Sequence, residues 1–379
     1  MKKTYISIGQ RVEKSAAHPY GWKRADFIDE NETCVLVLGG NGADNDQKAN
    51  GYAKCVDELL KQYNLKDGVH IYSVIYRNES DGAEYFMPFL LQNKSRELLF
   101  EKYGRKDVPP FTEKQTEFVK KAEKLYGRFV LSKYNDEVSN PSYIERLFEK
   151  TLLYRICENE QKLPLEEAMR RVRNLNIITH CHGAYVFLKL EEMMQEKMKR
   201  LGYSDQEREA IQKQLLCVAF APYAPLGVSK STMISFGSAK DEEVFHQNAF
   251  HRELKNIDKS GQFGLSYFEG KKGEVIVASC VTEANAQGVE HNFSNYVMPK
   301  RELSKEGEEM LLLSRHAILN GVKSSLENKP LRNVKGLLCG DDQKALNVFE
   351  KIKQTGQEMY AKLVSLTRQF NLAKKGMNR

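Results

Sequence analysis

The sequence lacks the marks of several broad protein classes. None of its 379 residues belongs to an uninterrupted apolar run of the roughly 18 residues that a membrane span needs, so no transmembrane segment is expected. Met1-Lys2-Lys3 leads only into the short stretch Thr4 to Ile8 before Gln10 and Arg11. No apolar core of signal-peptide length precedes them, and the expected location is cytoplasmic, with export by a signal-independent route left open. The seven cysteines, Cys34, Cys55, Cys157, Cys181, Cys217, Cys280 and Cys339, include no CxxC pair. That excludes a zinc ribbon and fits free thiols in a reducing compartment better than a disulfide framework. The formal charge is only +7, gathered in part at Lys374, Lys375 and Arg379. No aromatic-interleaved basic stripe accompanies it, so nucleic acid is not an expected partner.

With 41% apolar residues the chain has material for a large core. Its length exceeds one ordinary domain, which implies a single core with insertions or two domains.

Read in order, the chain alternates strand and helix patterns. Thr4 to Ile8 reads as a first strand and Arg24 to Asp29 as a second, with the turn Pro19-Tyr20-Gly21 between them. Cys34-Val35-Leu36-Val37-Leu38 is a continuous apolar run, as a parallel strand buried on both faces requires. It ends in Gly39-Gly40-Asn41-Gly42, after which Tyr52, Val56, Leu59 and Leu60 recur on one helical face. This loop lacks the third glycine of a dinucleotide loop and the Gly-Lys-Ser/Thr of a triphosphate loop. Three roles stay open for it: a donor of oxyanion-hole N–H groups, a phosphate cradle, or a plain turn.

Val69 to Ile75 is a third buried strand. Residues 80–164 contain helical stretches but no central strand, and are read as a helical cap or insertion or as an outer helical layer. Further strands are expected at Leu215 to Ala221, Thr232 to Gly237 and Glu274 to Cys280. Beyond residue 300 the chain is helical, with Leu346, Phe349, Ile352, Met359, Leu363 and Leu366 forming an apolar stripe suited to docking on the parent domain, with a partner or a membrane surface as the alternatives. The fold class is therefore α/β, with a mostly parallel doubly wound sheet. Its core spans 1–79 and 165–299, the insertion 80–164 and a C-terminal helical extension 300–379.

The stretch with most chemical content runs from Asn174 to Met194. Leu175, Ile177 and Ile178 form a short buried strand, Thr179-His180-Cys181-His182-Gly183 breaks it, and Val186, Phe187, Leu190 and Met193 then recur at helical spacing. A strand becomes a helix within five residues, with Cys181 at the turn. This is the pattern of a nucleophile elbow, Gly-x-Ser-x-Gly, which lifts its nucleophile above the end of a sheet on a strained backbone. Gly183 supplies the small residue after the nucleophile, while Thr179 stands where the pattern has its first glycine.

The succession of strand and glycine loop, strand, cap, elbow, strand, strand with acid and strand with histidine resembles the α/β-hydrolase superfamily over residues 30–297. The cysteine resembles that of the dienelactone-hydrolase type. Chain order in that superfamily is nucleophile, acid, histidine, which the resemblance carries onto Cys181, Asp241 and His291. Glu242 and Glu243 are alternative acids, and His246 and His251 are reserve bases. The oxyanion hole would draw on the backbone of His182 and of Gly40 or Asn41. Such a site implies hydrolysis of an ester, thioester or lactone through an acyl-cysteine, with no metal and no organic cofactor. The implied partner is a small or lipid-like acyl substrate, or else a protein.

Blander readings stand beside these. A cysteine between strand and helix is commonly a small buried apolar residue, Asp241 and His291 could be loop residues, and His180 and His182 could share a metal. A hydrolase-like scaffold without turnover, acting as a binding protein, is the alternative at the level of the whole chain.

Overall fold

The computed structural model describes residues 5–40, 43, 46–77, 142–222, 229–241, 264–268, 274–283 and 290–376. Along the chain come β1 (Tyr5–Arg11), β2 (Trp22–Ala25), β3 (Thr33–Leu38), α1 (Asp46–Gln62) and β4 (Val69–Arg77). Then follow α2 (Ser142–Thr151), α3 (Leu153–Ile156), the small hairpin β5 (Cys157–Glu158) and β6 (Gln161–Lys162), and α4 (Leu165–Arg173). Next are β7 (Leu175–His180), α5 (Gly183–Arg200), α6 (Asp205–Lys213), β8 (Leu216–Phe220) and β9 (Thr232–Ser238). The remainder is β10 (Ser266–Phe268), β11 (Glu274–Ala278), α7 (Ser294–Val297), α8 (Lys305–Leu326), α9 (Val334–Cys339) and α10 (Gln343–Gly376).

Nine strands make one sheet in the order β10-β11-β9-β8-β7-β3-β4-β1-β2. The six strands from β11 to β4 in that order are mutually parallel. β1 joins β4 antiparallel, β2 joins β1 antiparallel, and β10 closes the other edge antiparallel to β11. This is the α/β, mostly parallel sheet expected from alternating strand and helix patterns.

Burial on both faces follows the period-two geometry of a strand. Val35 and Val37 of β3, Ile178 of β7 and Val218 and Phe220 of β8 point into one apolar layer, shared with α1, α8, α9 and α10. Cys34, Leu36 and Leu38, Leu175 and Ile177, and Cys217 and Ala219 point into the other, shared with α2, α4, α5 and α6. The chain passes from β3 to β4 through α1 on the first face. It passes from β7 to β8 by way of α5 on the second. Its direction of travel across the sheet therefore reverses between β3 and β7, the kind of switch point outside which open α/β sheets bind ligands.

The second strand begins at Trp22, opposite Arg11, and ends at Ala25, whereas the pattern suggested Arg24 to Asp29. The turn ends at Gly21, whose carbonyl accepts from Val12 N–H at 3.1 Å, and pairing starts at once. Residues 80–141 of the expected insertion lie outside the described residues. Its last part, 142–164, is packed into the second apolar layer through Ile144, Leu147, Phe148, Leu152, Ile156 and Leu163. Arg155, fully buried, fastens this segment by donating to the carbonyls of Asp29 at 2.8 Å, Glu30 at 3.1 Å and Thr151 at 3.0 Å.

The C-terminal helices likewise form a layer of the core. Leu313, Ala317, Ile318 and Val322 of α8 are buried against the sheet, and Phe349 and Ile352 of α10 lie in the same layer. No helix among the described residues is long and apolar enough to cross a membrane. Because α8 is a core layer, Leu313→Ala should lower stability by about 2–5 kcal/mol, the range for emptying a buried leucine site. A urea midpoint shift of the surface-mutation size, within about 0.5 kcal/mol, would instead make the helix a loosely attached appendage.

Candidate active site

The C-terminal ends of β3 and β7, on either side of the switch point, carry the two loops that meet. After His180 the chain turns sharply at Cys181, which has φ +50°. The left-handed region costs a non-glycine residue about 1–2 kcal/mol, so something must hold it there. Cys181 N–H donates to the carbonyl of Phe220 on the neighbouring strand β8 at 3.1 Å, and Ala184 N–H donates to the carbonyl of Cys181 at 3.2 Å. The residue is thus fixed between the sheet and the first turn of α5. Gly183 is what permits the turn: a Cβ there would lie 2.1 Å from the carbonyl oxygen of Leu38 at the end of β3. Thr179, in the place of the pattern's first glycine, is fully buried within β7, paired with Leu38 and Ala219. The strand continues straight through it, so no glycine is needed.

The glycine loop after β3 closes over the same point. A Cβ on Gly40 would meet the Cβ of Cys181 at 2.9 Å and Nδ1 of His180 at 3.1 Å. The loop backbone therefore lies directly beside the cysteine. Asn41 lies outside the described residues.

His291 and Asp241 reach this site from the other half of the sheet. Asp241 follows β9 in a tight turn, its N–H donating to the carbonyl of Ser238 at 3.2 Å. Its carboxylate is 2.7 Å from Nδ1 of His291, and only 2% of the residue is exposed. The other partner of the His291 ring is the thiol of Cys181, within hydrogen-bonding reach. Burial works against a charged ring here, but the Cys181 sulfur and the Asp241 carboxylate outweigh it and hold the His291 imidazole well above its ordinary range. Three loops far apart in the sequence thus bring a sulfur, an imidazole and a carboxylate into one neighbourhood. Glu242, Glu243, His246 and His251 lie outside the described residues.

His180 takes up a different role from metal binding. It is buried, its Nε2 donates to the carbonyl of His291 at 2.6 Å, and its Nδ1 accepts from the Tyr52 hydroxyl at 3.2 Å. Both ring nitrogens are committed, which leaves no lone pair for a cation. Burial, reinforced by the neighbouring His291 charge, depresses its pKa to about 3 and keeps it neutral. His182 is half-buried and stacks on Tyr185 with ring centres 5.6 Å apart, and burial depresses its pKa as well. Among the described residues, no group of three or more His, Cys, Asp or Glu could hold a metal ion.

Three residues at the site escape a reading of sequence alone. Tyr52 is visible only as an apolar position of α1, yet its hydroxyl supplies the proton donor for His180 Nδ1 once the His291 carbonyl has fixed the ring proton on Nε2. Phe293 packs edge-on to Tyr52, His180 and Phe220, with ring centres 5.0 to 5.7 Å apart, and walls the site from below. Glu290, immediately before His291, is 2% exposed and buries its carboxylate beneath the loop.

Comparison with known protein families and with curated proteins finds no match for this chain.

The neutral His180 makes stability depend on pH. Its folded pKa of about 3 lies below the unfolded value of about 6.5. Between these values the unfolded chain binds the extra proton, so stability is present above pH ~6.5 and is lost as pH falls, by about 1.4 kcal/mol per pH unit. Urea unfolding at pH 8 and pH 5 should show a loss of about 2 kcal/mol from this residue, and His180→Asn should lose that much less over the same interval. Equal losses in the two proteins would contradict a neutral buried His180.

Proposed function

We propose that this chain is a cysteine-dependent acyl hydrolase of the α/β-hydrolase type, acting on an ester, thioester or lactone through an acyl-enzyme at Cys181. The observation that carries this reading is the left-handed Cys181, held at the sheet's switch point with its thiol beside an imidazole that is itself bound to a buried carboxylate. Strained backbone over-determined by its surroundings is characteristic of reactive positions. A merely space-filling cysteine has no need of it.

In the proposed reaction the Cys181 sulfur attacks the carbonyl carbon, forming a carbon–sulfur bond and an oxyanion. The N–H groups of His182 and Gly40 stabilise that oxyanion, each worth on the order of 3 kcal/mol in the transition state. As the tetrahedral centre collapses, the bond to the alcohol or thiol leaving group breaks, and protonated His291 gives the leaving group its proton. Water then attacks the thioester while His291 takes up a proton from it, the carbon–sulfur bond breaks, and the acid departs. Asp241 keeps the Nδ1 proton in place, so that the other ring nitrogen serves the sulfur and the water. The resemblance to the superfamily in chain order, and the free state of all seven thiols, support the same reading. A reducing compartment would keep Cys181 competent.

The test is incubation with short acyl esters, thioesters and lactones, followed by intact-protein mass spectrometry. An acyl adduct should appear on the wild type and be missing from Cys181→Ala. His291→Ala and Asp241→Asn should lower kcat by about 10³-fold or more, the scale seen when members of such triads are removed. Absence of both adduct and turnover would favour the non-catalytic scaffold. Modification of a protein substrate without action on small esters would point to a peptidase or acyltransferase.

A further inference from the structure

The buried carboxylate of Glu290 has no role in the reaction outlined above, although it adjoins His291. Its Oε2 accepts from the Ser238 hydroxyl at 2.5 Å and from Val281 N–H at 2.7 Å. Its Oε1 accepts from Thr282 N–H at 2.9 Å and the Thr282 hydroxyl at 2.6 Å, with the Cys280 thiol at 3.6 Å. These donors belong to two different parts of the site. Ser238 is the last residue of β9, three positions before Asp241, and its Oγ also accepts from Lys240 N–H at 3.2 Å. Val281 and Thr282 lie just beyond the end of β11. The backbone of Glu290 is held in turn, since its carbonyl accepts from the Tyr296 hydroxyl at 3.0 Å, and the Tyr296 carbonyl accepts from Ser314 of α8 at 2.6 Å.

From this network we infer that Glu290 is a positioning residue, which sets the distance between His291 and Asp241 by tying the loop of one to the strand end of the other. The inference deepens the proposed hydrolase reading and rests on it for its catalytic consequence. A structural carboxylate could have been satisfied within one loop. This one spans β9, β11 and the residue next to the imidazole, so any shift of its acceptor geometry moves the histidine relative to its acid. Hydrogen bonds to a charged acceptor are shorter and about twice as strong as neutral ones, which suits a clamp. Each oxygen receives donors only, so neither can be replaced by an amide nitrogen without facing a donor.

The test is Glu290→Gln in the full chain, compared with Thr282→Val, which deletes one hydroxyl donor and keeps the carboxylate. The first readout is the far-downfield NMR signal of the His291 Nδ1 proton shared with Asp241, which does not depend on turnover. The second is the rate of Cys181 alkylation by iodoacetamide at pH 7. In folded Glu290→Gln the signal should be lost or broadened into exchange. Its alkylation should slow by about 10–100-fold, the scale of an ångström-level misplacement. Thr282→Val should give the same changes in smaller measure and serves as the deciding variant if Glu290→Gln does not fold. A folded variant with the downfield proton and the alkylation rate unchanged would overturn the inference. Loss of the proton in a protein whose wild type forms no acyl adduct would uphold the positioning role while refuting the hydrolase reading.

Discussion

The close approach of β3 to the start of α5 is the constraint on which the other features of the site depend. The carbonyl of Leu38 occupies the space where any side chain at position 183 would stand. In that tight passage from β7 into α5, Cys181 takes the left-handed conformation. The same packing brings the Gly39-Gly40 backbone alongside the cysteine. Two loops that belong to different crossovers of the sheet are therefore held together by the close approach of Gly183 to Leu38 and of Gly40 to Cys181 and His180. The thiol and the imidazoles stand at a corner that the packing has already made.

Around that corner the polar residues divide into charged and neutral sets, each matched to its surroundings. His291 is exposed to the pull of a sulfur and a carboxylate and is stabilised in its charged form. His180, with ring centre 4.7 Å from that of His291, is forced neutral by burial and by the charge beside it. Two imidazoles in contact thus hold opposite protonation preferences, which is how environments divide roles between like groups. The neutral ring supports the charged one by holding its backbone carbonyl, and that carbonyl, which can only accept, settles that Nε2 of the neutral ring carries the proton while Tyr52 serves Nδ1.

Much of the architecture was legible because central parallel strands announce themselves. Cys34 to Leu38 and Leu215 to Ala221 are buried on both faces and so are apolar without interruption. The sharp turn from β7 into α5 at Cys181 was legible for a similar reason, since the change from strand period to helical period occurs within a few residues. Edge strands carry no such mark. Ser266-Tyr267-Phe268 is three residues long and was not anticipated, and Trp22 to Ala25 alternates too weakly to fix its limits. Among the candidate site residues, Cys181, His182 and Gly40 could be named from local pattern, and Asp241 and His291 from the chain order that the resemblance implies. Glu290 and Tyr52 could not, because their significance lies in partners 50 to 130 positions distant, such as Ser238 and His180, and no local pattern records a remote hydrogen bond.

The sheet order also has a kinetic side. Cys34 of β3 pairs directly with Leu175 of β7, so the two central neighbours are joined only after a long intervening stretch of chain has been arranged elsewhere. Pairings of that span are slow to form because the entropy of closing the loop is spent before the contact returns anything. The corner occupied by Cys181 can exist only once β3, β7 and α5 are all in place. A newly made chain would accordingly hold Cys181 in ordinary unstrained backbone until those three elements have met, and the left-handed turn would be acquired late in folding.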